Sequence, residues 1–278
     1  MLIRESISGY RHIDFGNIKL AFTQVCNDEL FKDVYFAANA LYYVDTGSAT
    51  FYGDGKKMEI KEGEIVLIKQ HSKLDIKKHK ASGNKDFRSI IFYLFPDFVT
   101  EFIKEKKAKA GKIDFPELNL IHLGKNKGLK DFCESLLPLF EKQQQDNSTI
   151  KKKTFEALHY LSENNKDFLG FLTTHSKPIK IDLYEFMIHV SLYSYSVNEL
   201  AKLTGRSLSA FKRDFHSIFE TTPHQWLLDK KVDYAEKLLS KQKVKASDIY
   251  LLLGFNELSH FSAAFKKRKG ISPSQLTV

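Results

Sequence analysis

The chain contains 278 residues, of which 42% are hydrophobic and 23 are phenylalanine, so it can bury the cores of two domains. Its formal net charge of +9 favours an anionic partner, with nucleic acid first. Two cysteines exclude a four-thiolate zinc site, and since no apolar stretch approaches about 18 residues, we expect a soluble, cytoplasmic protein without a membrane span.

The first hundred residues predict short β-strands, because segments rich in β-branched and aromatic residues alternate with turn signals. The predicted strands cover residues 18–25, 40–47, 49–53, 57–69, 72–80 and 87–95. Asp54-Gly55 is a good hairpin turn, since glycine tolerates the positive φ of a tight turn. Short strands at this spacing indicate a small antiparallel barrel or sandwich.

The spacing of apolar residues changes after Pro96, and helices are predicted from about residue 97 onward. Amphipathic helices are expected over residues 128–145 and 149–164. They pack either on the β-strands of the same chain or on each other across a homodimer. Small, polar and proline residues follow, and we expect one domain over residues 1–172 and a second over 173–278.

The last third of the chain is predicted to be helical and carries the densest positive charge. From residue 175 onward, 16 lysines and arginines stand against 10 aspartates and glutamates. Residues 196–219 and 245–270 follow one pattern: a short helix, a turn containing glycine, and a second helix. This pattern is typical of a helix-turn-helix, whose second helix enters the major groove of DNA.

The first pattern has a buried and a polar side. The buried side is predicted from apolar residues at helical spacing: Phe211, Phe215 and Ile218. Ser207 is expected to cap the second helix. The polar side carries the predicted base-reading residues Ser209, Lys212 and Arg213, with His216 on phosphate. Arg213 is the best candidate for a bidentate contact with guanine, because its planar fork matches two acceptors on that base.

The second pattern combines a phenylalanine core with a cluster of cations. The core is predicted from Phe255, Phe261 and Phe265. Ser259 is expected to cap the helix and, with His260 and Ser262, to face the bases. The cations lie at the helix end, where phosphate contact is expected: Lys266, Lys267, Arg268 and Lys269. A structural role for some of them is the alternative, because cations at a helix C-terminus suit its dipole. The first pattern is therefore predicted to read bases, and the second mostly to hold phosphate.

A single helix over residues 224–242 is predicted to join the two patterns, with Pro223 in its first turn. About 18 residues at roughly 1.5 Å each span about 27 Å, comparable to the roughly 34 Å between successive major-groove faces. One protomer is therefore expected to place both recognition helices on the same side of a duplex.

The stretch "GFNELSHFSAAFKKRKGISPSQL", from Gly254 to Leu276, resembles the signature of the AraC/XylS family of bacterial transcription regulators. The resemblance implies an α+β fold, with a small cupin-like antiparallel barrel and its helices before an all-α DNA-binding domain. It implies a sequence-specific regulator, more often an activator, which binds promoter DNA and works with RNA polymerase. A small-molecule effector or a regulatory protein would act on the N-terminal domain. Arg206 stands where the family usually has a small apolar turn residue.

The alternative is an enzyme, either a metal-dependent cupin or a repair protein attached to the helical domain. A cupin metal site needs a His-x-His pair, which the sequence lacks, so His71 and His79 are expected to be surface histidines. A repair protein would need more than two cysteines, and Cys26 and Cys133 lie among apolar residues, which predicts buried free thiols. We therefore expect no metal, no cofactor and no catalytic residues.

Overall fold

The computed structural model describes residues 10–14, 18–106, 119–125, 127–141, 147–175, 180–190, 195–242, 244–251 and 253–276. The chain divides into two compact units, Met1–Pro178 and Ile179–Val278, called the N-terminal and C-terminal units below. The boundary expected between residues 172 and 173 lies within a helix that ends at His175. No helix among the described residues is long and apolar enough to cross a membrane.

The described residues of the N-terminal unit include ten strands in two antiparallel sheets. The strands are β1 (Tyr10–Asp14), β2 (Ile18–Val25), β3 (Glu29–Phe36), β4 (Asn39–Thr46), β5 (Ser48–Gly53), β6 (Lys56–Lys61), β7 (Glu64–Ile68), β8 (Ser72–His79), β9 (Phe87–Leu94) and β10 (Leu120–Lys125). One sheet has the order β1-β2-β9-β4-β7-β10 and the other β3-β8-β5-β6. The two antiparallel sheets agree with the predicted cupin-like fold, although over the described residues they do not close into a barrel. Strands β1, β3 and β10 were not predicted.

The six-stranded sheet is covered on both faces, which explains why β4 is apolar along most of its length. Tyr42 packs edge-on against Phe51 of the four-stranded sheet, with ring centroids 5.1 Å apart. Its neighbour Tyr43 points to the opposite face and belongs to the cluster formed with the helices. Because side chains alternate along a strand, a strand buried on both faces is mostly apolar at successive positions.

Four helices of the N-terminal unit pack on that second face. They are α1 (Pro96–Lys106), α2 (Lys127–Glu141), α3 (Asn147–Asn164) and α4 (Lys166–His175). Phe132 of α2 stacks on Phe92 of β9, with ring centroids 5.5 Å apart. The amphipathic helices therefore pack on the sheet of their own chain, although residues 142–145 of the predicted helix lie outside the described residues. Cys133 is buried as predicted, whereas Cys26 is exposed and donates to Asp86.

The C-terminal unit is helical throughout its described residues. Its helices are α5 (Leu183–His189), α6 (Val197–Leu203), α7 (Leu208–Phe219), α8 (Pro223–Gln242), α9 (Ala246–Ile249) and α10 (Leu258–Lys269), followed by a 3-10 turn over Pro273–Leu276. The predicted joining helix is α8, which begins at Pro223. Its buried side is apolar and consists of Leu227, Val232, Ala235, Leu238 and Leu239.

The turn between β4 and β5 provides a test of the N-terminal fold. Gly47 has a φ of +87°, and a Cβ there would lie 2.3 Å from the His79 carbonyl oxygen. We expect Gly47→Ala to lower the free energy of unfolding by about 3 kcal/mol or more, because positive φ and a backbone clash combine. Gly55 has a φ of +74° with open space around it, so Gly55→Ala should cost only about 1 kcal/mol.

Differential scanning calorimetry of the full chain measures both changes. Equal losses for the two variants would show that the clash with the His79 carbonyl does not constrain this turn.

Candidate nucleic-acid interface

The two helix-turn-helix units end their first helices with the same hydrogen-bonded turn. In the first unit, the Gly205 amide donates to the Lys202 carbonyl at 3.0 Å and the Arg206 amide to the Ala201 carbonyl at 2.9 Å. In the second unit, the Gly254 amide donates to Leu251 at 2.9 Å and the Phe255 amide to Tyr250 at 3.0 Å. Both glycines have a positive φ, so both turns are complete Schellman motifs.

The loops that follow the two turns differ in length by one residue. As a result, residues of different chemistry hold the N-cap positions of the two recognition helices. Ser207 precedes α7, and its hydroxyl accepts from the Ala210 amide at 3.2 Å, which confirms the predicted cap. Glu257 holds the equivalent position before α10 and makes no side-chain cap bond. The prediction that Ser259 caps α10 is therefore wrong. Ser259 lies inside the helix, and its hydroxyl donates to the Glu257 carboxylate at 3.1 Å.

The buried side of α7 is anchored by aromatic rings against α8. Phe211 and Phe215 are fully buried, as predicted, but Ile218 is 44% exposed. Phe219 takes the anchoring role instead, because its ring lies 5.3 Å from Trp226 of α8 and stacks 5.8 Å from Tyr184 of α5.

The buried side of α10 follows the sequence prediction. Phe255, Phe261 and Phe265 are all buried, with Phe261 5.2 Å from Phe255 and 5.8 Å from Phe265 between ring centroids. The ammonium group of Lys231 on α8 lies 5.7 Å from the Phe255 ring centroid. The three rings therefore fix α10 to its own turn and place the second unit beside the joining helix.

The opposite side of α7 is exposed and carries every residue predicted for DNA contact in the first unit. These residues recur at helical spacing: Ser209, Lys212, Arg213 and His216. The side chain of Arg213 is 78% exposed, and its Nη2 donates to the Asp214 Oδ1 at 3.2 Å. The face offers hydroxyl, ammonium, guanidinium and imidazole groups, which suit both phosphate oxygens and base edges.

Arg206 contributes a structural network beneath this face that the sequence analysis did not identify. Its side chain is only 8% exposed, and its Nε donates to the Asp214 Oδ2 at 3.1 Å. Its Nη1 donates to the carbonyls of Ile181, at 3.0 Å, and Thr204, at 2.8 Å. Asp214 accepts hydrogen bonds from Arg206 and from Arg213, and these two bonds hold the pKa of Asp214 below its usual value because they stabilise the charged carboxylate.

The outward face of α10 is less basic than that of α7. Leu258, Ser259, His260 and Ala263 are exposed, and Ser262 is half-buried. The His260 ring also packs edge-on against Phe255, with centroids 5.9 Å apart. This face therefore presents hydroxyl and imidazole groups but no cation before Lys266.

The run of four cations at the end of α10 separates into two pairs with different surroundings. Lys266 and Lys267 are exposed. Arg268 and Lys269 are mostly buried and bind the acidic side of α8, Arg268 through Asp229 and Lys269 through two carboxylates at 2.7 Å, those of Asp233 and Glu236. Hydrogen bonds to both carboxylates raise the pKa of Lys269. The last two cations therefore hold α10 against α8, which agrees with the alternative of a structural role for some of the four and differs from phosphate contact by all of them.

The described residues contain no group of three or more histidine, cysteine, aspartate or glutamate side chains arranged to hold a metal ion. The His71 Nδ1 lies 2.9 Å from the Tyr35 hydroxyl, and burial lowers the pKa of His71 to about 4. His71 is therefore not the surface histidine that was expected. His79 is partly exposed and pairs with Asp28 at 3.1 Å.

Comparisons with known proteins match two regions of the chain, one in each compact unit. A family profile described as a helix-turn-helix domain matches residues 200–277. A second profile, described as the ExsA N-terminal regulatory domain, matches residues 39–171. The two matches together include both sheets from β4 onward and both helix-turn-helix units.

Relatives extend the similarity along most of the chain. The thermoregulatory protein LcrF of Yersinia pestis and the virulence regulon transcriptional activator VirF of Yersinia enterocolitica are each 21% identical over 252 residues, covering 88% of this chain and 91% of theirs. The probable transcriptional regulator LumQ of Photobacterium leiognathi is 36% identical over 142 residues, covering 51% of this chain and 56% of LumQ.

The different surroundings of the four cations predict different effects on stability. We expect the double variant Arg268→Ala, Lys269→Ala to lower the free energy of unfolding by about 1–2 kcal/mol, because it removes the ion pairs between α10 and the carboxylates of α8. The matched variant Lys266→Ala, Lys267→Ala removes the same charge from exposed positions and should change stability by less than about 0.5 kcal/mol.

Urea denaturation followed by the fluorescence of Trp226, the single tryptophan, reports on the C-terminal unit alone. Equal losses for the two double variants would contradict a structural role for the second pair.

Proposed function

The chain belongs to the AraC/XylS family of bacterial transcription regulators, and we propose that its C-terminal unit reads a promoter while its N-terminal unit controls that reading. It is a DNA-binding regulator and not an enzyme, as its family membership establishes. The proposal concerns how the two helix-turn-helix units divide the work, and what the N-terminal unit adds.

One observation supports the division of work most strongly: two recognition helices with matching turns carry unlike exposed faces. The face of α7 presents Arg213 and Lys212 with Ser209, whereas the first cations of α10 come at its C-terminal end. We assign base reading chiefly to α7, with Arg213 on guanine, and weaker base contact to Ser259, His260 and Ser262 of α10.

Phosphate contact is assigned to the exposed cations near the recognition helices. Lys266 and Lys267 are exposed near the C-terminal end of α10, and His216 lies on the same face of α7 as Arg213. These contacts would orient the protein on the duplex without selecting its sequence. Arg268 and Lys269 are left out of this assignment, because their side chains bind α8.

The N-terminal unit is proposed to receive the regulatory signal, a small-molecule effector or a regulatory protein. The match of residues 39–171 to a regulatory-domain profile supports this role. The relative VirF is a virulence regulon transcriptional activator, which supports activation, and activation would involve RNA polymerase as a partner. We place the regulator in the cytoplasm beside the promoter and propose that it can act as a homodimer.

The division of work predicts different effects for two single variants of the full chain. A randomised pool of duplexes, selected by the purified protein, first provides a preferred sequence. Arg213→Ala should reduce discrimination by roughly 1–3 kcal/mol at one base pair. Lys267→Ala should instead weaken binding to all duplexes alike and lower the slope of log affinity against log salt by about 1.

Fluorescence anisotropy over a range of salt concentrations, on single-substitution duplexes, measures both effects. If the two variants lose affinity in the same pattern, the assignment of base reading to α7 fails. If the pool yields no preferred sequence, sequence-specific binding itself is contradicted.

A further inference from the structure

We propose that Arg206 and Asp214 position Arg213, and so determine how strongly the regulator prefers guanine at one base pair. The inference rests on the proposed function, because it assumes that Arg213 reads a base. It concerns two residues beneath the recognition face of α7, which join a buried guanidinium to the exposed one.

The positioning begins with the guanidinium of Arg206, which is buried and hydrogen-bonded. Arg206 follows the Schellman glycine, a position whose side chain commonly makes a hydrophobic contact. Here the side chain is buried, and its Nη1 is fixed by two backbone carbonyls, those of Ile181 and Thr204. Its Nε donates to Asp214 on α7 at 3.1 Å. A charge held in this way leaves its carboxylate partner little freedom.

Asp214 links the buried Arg206 to the exposed Arg213. Its two oxygens are divided between two arginines, with Oδ2 accepting from Arg206 at 3.1 Å and Oδ1 from Arg213 at 3.2 Å. The carboxylate remains charged, since both hydrogen bonds favour its ionised form. Asp214 therefore holds one edge of a guanidinium that is otherwise exposed.

The chemistry of the contact explains why this constraint should matter. A guanidinium has five N–H donors, so one bond to Asp214 leaves enough donors for the O6 and N7 of guanine. A free arginine must give up rotamer freedom when it binds, which weakens its contact with the base. Restraining Arg213 before binding reduces that cost for the orientation that fits guanine.

The same arrangement has an electrostatic disadvantage that makes the inference testable. A carboxylate near the phosphate backbone repels DNA, so Asp214 should lower affinity for duplexes of any sequence. A positioning role therefore predicts opposite changes in two measurements when the charge is removed. A merely structural role predicts that both measurements fall together.

The test uses the full chain and the duplex pair, with and without the guanine, that the Arg213→Ala variant identifies. We expect Asp214→Asn to reduce the preference for guanine by about three- to tenfold while binding to the guanine-lacking duplex becomes tighter. Glu220→Gln, which removes one charge from the exposed end of α7, should tighten binding to both duplexes and leave the preference unchanged.

A second variant separates positioning from packing. Arg206→Met with Asp214→Leu replaces the ion pair by apolar side chains of similar size, but it also removes the donor of the Ile181 and Thr204 carbonyls. We expect this variant to fold with a lower urea midpoint, followed by Trp226, and its guanine preference to fall as in Asp214→Asn.

Three results would overturn the inference: an unchanged guanine preference in Asp214→Asn, equal weakening on both duplexes, or wild-type preference in the apolar double variant. If Arg213→Ala itself changes no base preference, the base-reading assignment fails instead, and the two failures are thereby distinguished.

Discussion

The burial of aromatic rings against α8 is the constraint on which the DNA-binding unit depends. Phe215 and Phe219 meet Trp226 near the start of this helix, with ring centroids 5.7 and 5.3 Å apart. Removing one such ring from a core typically costs about 3–5 kcal/mol, more than any exposed ion pair contributes. Because one side of α7 must face α8, its polar side must face outward.

The two helix-turn-helix units share the same turn and buried phenylalanines but differ in the ion pairs that hold them. In each unit a glycine with positive φ lies in the turn after the first helix, and each unit buries phenylalanines from its second helix. The first unit adds the Arg206 and Asp214 ion pair, whereas the second is held to α8 by Arg268 and Lys269. Charged residues therefore stabilise both units, and a cation in the sequence is not by itself a DNA contact.

Periodicity explains how much of the structure the sequence predicted. The strand over residues 18–25 and the helix that begins at Pro223 were predicted almost to the residue, because their patterns are regular. Strand β3 was missed because a bulge near Asp33, which has a φ of +56°, interrupts its alternation.

Partners that are distant in sequence explain most of what was not predicted. Arg268 binds Asp229, 39 residues earlier, and no local pattern indicates that pairing. Phe219 replaces Ile218 as an anchor because Tyr184 and Trp226 lie on its side of α7.

The most direct test of the whole arrangement is methylation interference at guanine N7, with one protomer bound per selected duplex. We expect interference in two major-groove segments about 10 base pairs apart on one face of the DNA. Interference in a single segment, or on opposite faces, would contradict it.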